Sequence, residues 1–137
     1  MHGTYTRNQS KIFIIKMAVK KTLVIGASEN PARYSNLAVK KLIANNQLVI
    51  AIGKKKGMIG ATIIETEKKY FDSVDTVTLY LNPSHQQEYY NYILSLHPRR
   101  IIFNPGTEND ELVELAQKNG IFTQEACTLI LLSTGLY

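Results

Sequence analysis

The segment from Thr22 to Asn36 constrains the fold of this chain more than any other segment does. A continuous apolar run of strand length, residues 22–26, leads into the small residues Gly26, Ala27 and Ser28. A helical pattern follows from about Asn36. Small side chains in such a turn let a phosphate approach the backbone, and the start of the helix favours an anion. The segment therefore predicts a strand, a turn and a helix with a phosphate site between them.

Strand and helix patterns alternate along the rest of the chain. Strand segments are predicted at residues 22–26, 48–52, 75–81, 100–103 and 121–124, with 59–64 as a further short candidate. Helices are predicted at residues 36–45, 83–96 and 109–118, and residues 127–132 are apolar without a clear period. This alternation predicts an α/β fold: a single three-layer domain with a mostly parallel, doubly wound sheet of about five strands. The loops after residues 26, 52, 81 and 103 should then meet at one edge of the sheet.

Several shorter signals refine these elements. Asn82 and Pro83 form a helix cap and a first-turn proline, and the pair His97-Pro98 ends that helix. The first predicted helix has Leu37, Val39, Leu42 and Ile43 as its inward face. We expect one domain at residues 17–137, because Met17 resembles a natural start and residues 1–10 have no helical or strand period. Whether those residues are an added extension or follow from an upstream start codon stays open. Both interpretations make them dispensable, so a protein starting at Met17 should keep its fold and ligand affinity.

Composition narrows the class of protein. The chain has 137 residues, 45% hydrophobic and 20% charged, with a formal net charge of +5. This is typical of a globular domain and compatible with an anionic ligand. The single cysteine, Cys127, excludes a disulfide framework and a cysteine-built zinc site, and it favours a reducing, cytoplasmic location. No apolar run approaches the roughly 20 residues of a membrane span, and no basic repeat predicts nucleic-acid binding. No metal site is predicted.

The glycine turn is a weak signal when taken alone. The dinucleotide fingerprint G-x-G-x-x-G would need glycine at three positions, which here hold Gly26, Ser28 and Pro31. A second interpretation stays open, in which Gly26 only closes a connection between strand and helix.

The loop after the second strand adds a second signal. An NAD site usually has an acidic residue there, to accept hydrogen bonds from the ribose. This chain has Gly53 followed by Lys54, Lys55 and Lys56, and it contains no Asp or Glu from residue 30 to residue 64. Ammonium groups at that position favour a ribose that itself carries a phosphate, as in NADP or coenzyme A. The alternative is a lysine turn that is merely solvated.

The same residues carry a family resemblance. Gly26-Ala27-Ser28 and the following residues 30–36, Asn-Pro-Ala-Arg-Tyr-Ser-Asn, resemble the opening motif of the small CoA-binding domain proteins. Those are single Rossmann-like domains, similar to the CoA-binding domain of the succinyl-CoA ligase alpha subunit. The resemblance extends from residue 20 to residue 137. It includes Gly60, Leu81-Asn82-Pro83 and the tripeptide at 104–106, whereas many relatives have Asn-Pro in place of Ile52-Gly53.

The resemblance implies that coenzyme A or an acyl-CoA binds through its ADP part. The backbone of Gly26, Ala27 and Ser28 would hold the pyrophosphate and Arg33 would pair with phosphate, while Tyr34 and Asn36 would shape the turn. Lys54 to Lys56 would meet the ribose 3′-phosphate, the lysine that reaches it being left open, and Gly53 would belong to the same cofactor-binding loop. Leu81, Asn82 and Pro83 would border the adenine.

Candidates for catalysis are few. Cys127 lies in an apolar run and His85 has no acidic partner placed by the sequence. No nucleophile–base pair is evident, so we predict no catalytic residues and favour a binding module over an enzyme. An NADP-dependent small oxidoreductase and a partner-binding subunit that has lost its ligand are the alternatives. A homodimer or an unidentified protein partner also stays open, with Tyr89, Tyr90 and Tyr92 as a candidate surface or, alternatively, core.

Overall fold

A seven-stranded sheet forms the centre of the computed structural model, which describes residues 19–137. Its strands are β1 (Lys21–Ile25), β2 (Leu48–Ile52), β3 (Gly57–Ile59), β4 (Thr62–Glu65), β5 (Thr76–Leu79), β6 (Arg100–Phe103) and β7 (Phe122–Glu125). Their order is β3-β4-β2-β1-β5-β6-β7, and every neighbouring pair is parallel except β3 and β4. The predicted fold class is confirmed.

The number of strands is higher than the predicted five or so. Residues 57–65 form an antiparallel hairpin of β3 and β4 instead of one short strand. Gly60, at the turn, has a φ of 58°, a conformation that glycine adopts without the steric cost other residues incur. The reversal of the chain at Gly60 adds an antiparallel edge strand to an otherwise parallel sheet.

The helices lie where the sequence predicted them, with two changes. They are α1 (Tyr34–Ala44), α2 (Pro83–Gln86), α3 (Tyr90–Leu96), α4 (Asp110–Lys118) and α5 (Thr128–Thr134). The predicted helix at 83–96 is divided by a 3₁₀ turn, Gln87–Tyr89, and the apolar segment after residue 127 is helical. The predicted cap at Asn82 is present, because its side chain accepts a hydrogen bond from the His85 N–H at 3.2 Å.

Two apolar layers cover the sheet. On one face, side chains of α1 and α5 pack against β1, β2 and β4, with Val24, Val39, Leu42 and Leu132 in the core. On the other face α3 and α4 pack against β1, β5 and β6. Tyr89 and Tyr92 belong to this second core, since they are 8% and 9% exposed. These two tyrosines therefore do not offer an open surface for a homodimer.

The inward face of α1 differs from the prediction. Leu37 and Ile43 are 42% and 45% exposed, whereas the smaller Ser35, Asn36 and Ala38 are buried. The helix turns its small residues toward the loop after β1, which brings that loop close to the helix. The expectation that residues 1–16 are dispensable lies outside the described residues and stays a prediction. Within residues 19–137, no helix has the length and apolar character needed to span a bilayer.

Candidate functional site

A cleft of about 670 Å³ opens at the carboxyl ends of the parallel strands. The loops after β1, β2, β5 and β6 all contribute to its lining. Strand order reverses beside β1, because the chain moves from β1 outward to β2 and β4 and then returns to β5. Crevices at such a switch point are the usual ligand sites of doubly wound sheets, and the volume is within the usual range for small-molecule pockets.

The glycine turn after β1 is held in place by the end of β2. Gly26 has a φ of 96°, and an added Cβ would lie 2.8 Å from the Tyr80 carbonyl oxygen, so glycine is required there. The N–H groups of Gly26 and Ala27 both donate to the Ile52 carbonyl oxygen at 2.9 Å. These two amides are therefore engaged within the protein. The next two amides, at Ser28 and Glu29, have no acceptor among the described residues.

The first turn of α1 faces the same part of the cleft. Arg33 occupies the N-cap position without a side-chain capping bond, and the first turn contains no acidic residue. Arg33, Tyr34 and Ser35 line the cleft, and Tyr34 is 71% exposed. An uncapped helix start leaves amide donors and partial positive charge available to an anion.

Asn36 shapes this turn from behind and does not line the cleft. Its side chain is 2% exposed, and its Nδ2 donates to the Ser28 carbonyl oxygen at 2.9 Å. Its Oδ1 is buried and has no partner among residues 19–137. The Asn36 amide thus joins the loop to the helix that follows it.

We call residues 54–56 the lysine loop. It lies next to the glycine turn, and both loops line the cleft. Gly53 determines this closeness, since an added Cβ there would lie 2.3 Å from the Ala27 carbonyl oxygen. Lys54, Lys55 and Lys56 are exposed and line the cleft. Neither they nor Arg33 form an ion pair in the described part of the chain. Four unpaired cations therefore face this cavity.

Two carboxylates also line the cleft, and sequence reasoning did not select either of them. Glu29 accepts a hydrogen bond from the Met58 N–H at 2.9 Å, and Glu88 pairs with Lys68 at 3.8 Å. The sequence carries no signal for the first contact, because its partners are 29 residues apart. Both acids are engaged with groups other than the lysine loop.

The opposite wall is less charged. Leu81 and Asn82 line it, whereas Pro83, which was expected to border the adenine with them, begins α2 outside the lining. The other lining residues, which the sequence did not select as site residues, are Tyr80, His85, Tyr89, Pro105, Gly106 and Thr107. Burial raises the pKa of the Tyr80 phenol well above its ordinary value, and the nearby Cys127 adds to this shift. Tyr80 is therefore neutral over the physiological pH range.

The two side chains considered for catalysis, Cys127 and His85, do not form a catalytic pair in the cleft. Cys127 is partly buried at the N-cap of α5 and is not among the lining residues. The His85 imidazole forms no ion pair with any carboxylate of the described residues. No cluster of three or more metal-ligating side chains occurs between residues 19 and 137.

Solved structures share this fold. An uncharacterized protein with 48% sequence identity superposes with a TM-score of 0.86, covering 88% of this chain and 99% of its own. A hypothetical protein from Pyrococcus horikoshii OT3 has 21% identity and a TM-score of 0.78, covering 99% of both chains. Cell-free ID.343 from Thermus thermophilus has 17% identity and a TM-score of 0.77, covering 93% of this chain and 98% of its own. These last two show the fold alone.

The sequence matches no curated protein. A family model described as the CoA binding domain matches residues 20–133, which is most of the chain and includes every loop that lines the cleft. This match supports a CoA-related ligand for the cationic cleft. The chain belongs to the CoA-binding domain family.

Proposed function

We propose that the protein binds coenzyme A, or an acyl-CoA, through the 3′-phosphate and pyrophosphate of its ADP part, without catalysis of its own. The observation that carries this proposal is the set of four cations, Arg33 and the lysine loop, which line one cleft at the switch point of the sheet and form no ion pair within residues 19–137. A ligand with separate phosphate groups matches cations that come from two different loops. Family membership supports the same ligand class.

The pyrophosphate is assigned to the amides of Ser28 and Glu29, the start of α1 and the Arg33 guanidinium. This differs from the expectation for Gly26 and Ala27, whose N–H groups already donate to the Ile52 carbonyl oxygen. The Gly26 and Ala27 amides instead hold the glycine turn against the end of β2. Free amides, the helix dipole and a guanidinium together form a suitable anion site.

The ribose 3′-phosphate is assigned to the lysine loop. Its three lysines are exposed and form no ion pair with any described residue, so a phosphate would not have to break such a pair in order to bind. Leu81 and Asn82 lie on the opposite side of the opening and are proposed to border the adenine.

The side chains that line the same cleft support the proposal that the protein does not catalyse a reaction of its own. The cleft's imidazole, His85, forms no ion pair with a carboxylate in the described part of the chain, and one of its phenols, that of Tyr80, is kept protonated by burial. A general base needs an accessible, oriented proton acceptor near the reacting group. Neither side chain meets that requirement.

Calorimetric titration with CoA, dephospho-CoA, NADP and NAD tests the proposal. We expect CoA to bind about fivefold more tightly than dephospho-CoA, since exposed charge pairs contribute about 1 kcal/mol. Replacing all three lysines of the loop by glutamine should remove this difference. The matched control replaces three exposed lysines outside the cleft, Lys40, Lys41 and Lys118.

Equal affinity of the wild-type protein for CoA and dephospho-CoA would reject the role of the lysine loop. Competition by NADP at similar affinity would favour the oxidoreductase alternative. If none of these nucleotides produced heat or a thermal shift, the proposed function would be wrong, and a partner-binding role would take its place.

A further inference from the structure

We infer that Glu29 is a positioning residue that holds the lysine loop ready for a ribose phosphate, and so sets selectivity for a 3′-phosphorylated ligand. This inference rests on the proposed function and extends it to the Glu29 side chain, which contacts no phosphate in that proposal, whereas the Glu29 backbone amide does. Glu29 lies in the loop after β1, whereas the group that it binds belongs to β3.

The contact is specific to an edge strand. β3 lies at one edge of the sheet and pairs with β4, and within residues 19–137 the other side of its backbone has no strand partner. The Met58 N–H donates to Glu29 Oε2 at 2.9 Å on that side. A hydrogen bond from an amide to a carboxylate is stronger than one between neutral groups. The Glu29 side chain thereby takes the place of a missing neighbour strand at one position.

Gly57 provides the space for this side chain. A Cβ added at Gly57 would lie 2.2 Å from Glu29 Cδ and 2.6 Å from its Oε1. The backbone of Gly57 does not need a positive φ, so glycine serves here to admit the carboxylate. The lysine loop is consequently anchored at both ends, by Gly53 against the Ala27 carbonyl and by Glu29 against residues 57 and 58.

The same hydrogen bond keeps the carboxylate from neutralising the lysines. Glu29 lines the cleft with the three ammonium groups, yet it forms no ion pair with any of them. Its negative charge disfavours a phosphate, while its tether to β3 favours one by limiting the motion of the loop. These two effects have opposite signs, so two substitutions can separate them.

Calorimetry on Glu29→Ala and Glu29→Gln makes this separation. Glu29→Ala removes the charge and the tether together, and the Kd for CoA should rise about fivefold, because binding must then immobilise the loop. The Kd for dephospho-CoA should stay within about twofold of the wild type, since that ligand does not use the loop. Glu29→Gln keeps an oxygen acceptor for the Met58 N–H and removes the charge. Its Kd for CoA should equal the wild-type value or fall below it.

Gly57→Ala provides an independent route to the same state. Its methyl group would displace the carboxylate from Met58 and should raise the Kd for CoA as Glu29→Ala does. The double variant should show no further loss, because residues that act through one contact are not additive. Glu114→Ala removes an exposed carboxylate on α4 outside the cleft and serves as the charge-matched control.

The inference is overturned if Glu29→Ala binds CoA as tightly as the wild type, or if CoA and dephospho-CoA weaken equally. Amide hydrogen exchange gives a readout without ligand and also covers a variant of reduced stability. The Met58 N–H should exchange about fivefold faster in Glu29→Ala than in Glu114→Ala. Unchanged Met58 exchange refutes the tether whatever the ligand is. Failure of the wild type to bind CoA refutes instead the proposed function.

Discussion

The substitution Gly53→Ala tests the contact that brings the lysine loop next to the glycine turn. The new methyl carbon would lie 2.3 Å from the Ala27 carbonyl oxygen, whereas ordinary contacts begin at 3.4 Å. Relief of this overlap requires the two backbone segments to separate by roughly 1 Å, and closely packed interiors resist such a shift.

The free-energy cost follows from what that separation disturbs. Two backbone hydrogen bonds of 2.9 Å join the glycine turn to the Ile52 carbonyl oxygen, and a third of 2.9 Å joins the Gly53 N–H to the Glu65 carbonyl oxygen of β4. Overpacking costs about 1–3 kcal/mol, and each weakened hydrogen bond adds up to about 1 kcal/mol. We therefore expect the free energy of unfolding to fall by about 2–4 kcal/mol. In a chain of this size that corresponds to a decrease in Tm of about 8–15 °C.

A circular-dichroism melt measures the effect, with Gly120→Ala as the matched control. Gly120 has a φ of 71° and open space where the Cβ would be, so its replacement adds backbone strain of about 1–2 kcal/mol and no clash. Gly53 has the opposite combination, with no positive φ and a severe overlap. If Gly53→Ala melts at or above the temperature of Gly120→Ala, the close approach of the two loops is wrong.

Two further substitutions test the charge and the core. Arg33→Ala should raise the Kd for CoA about tenfold in calorimetry, because a charge-assisted contact to phosphate is lost. The Tm should shift by less than about 3 °C, because the guanidinium has no ion pair in the described chain and the helix start uses only the Arg33 backbone. Lys40→Ala on the same helix is its control, and a large shift in Tm with Arg33→Ala would make Arg33 structural instead. Tyr92→Phe should flatten the loss of stability at alkaline pH, measured by urea unfolding from pH 8 to 11.5. Burial raises the pKa of Tyr92 to about 12 from the ordinary 10.0, and its neutral phenol donates a hydrogen bond to the Lys69 carbonyl oxygen at 2.5 Å. The neutral phenol therefore stabilises the fold below pH 10, and this contribution is lost as the pH rises toward 12. Equal pH slopes for the variant and the wild type would contradict the shift.

Local chemistry made much of the fold predictable. The cap at Asn82 and the helix start at Asn109 depend on hydrogen bonds to residues three positions later, and both are present. The hairpin at residues 57–65 was harder to predict, because a short apolar run with one glycine is compatible with one strand or two. The exposure of Leu37 and Ile43 depends on which elements cover α1, and a helical period alone does not contain that information.

Some features of the candidate site could likewise be predicted from the sequence, and others could not. Its cations are visible in the sequence, because Arg33 lies at the predicted connection between β1 and the following helix, and residues 54–56 follow the end of β2. The use of the Gly26 and Ala27 amides by the Ile52 carbonyl was not predictable, since it requires knowing how β1 and β2 pair. The presence of Glu29 among the lysines was equally hidden.

The sequence by itself determined the alternation of strands and helices, the edge of the sheet at which the loops meet, and the excess of positive charge there. These properties follow from periodicity, caps and residue order, which act over a few positions. Only the tertiary structure decided which backbone amides stay open to a ligand and which carboxylate restrains the lysine loop. Those outcomes depend on hydrogen bonds between residues 25 to 29 positions apart, and such bonds exist only once the strands have paired.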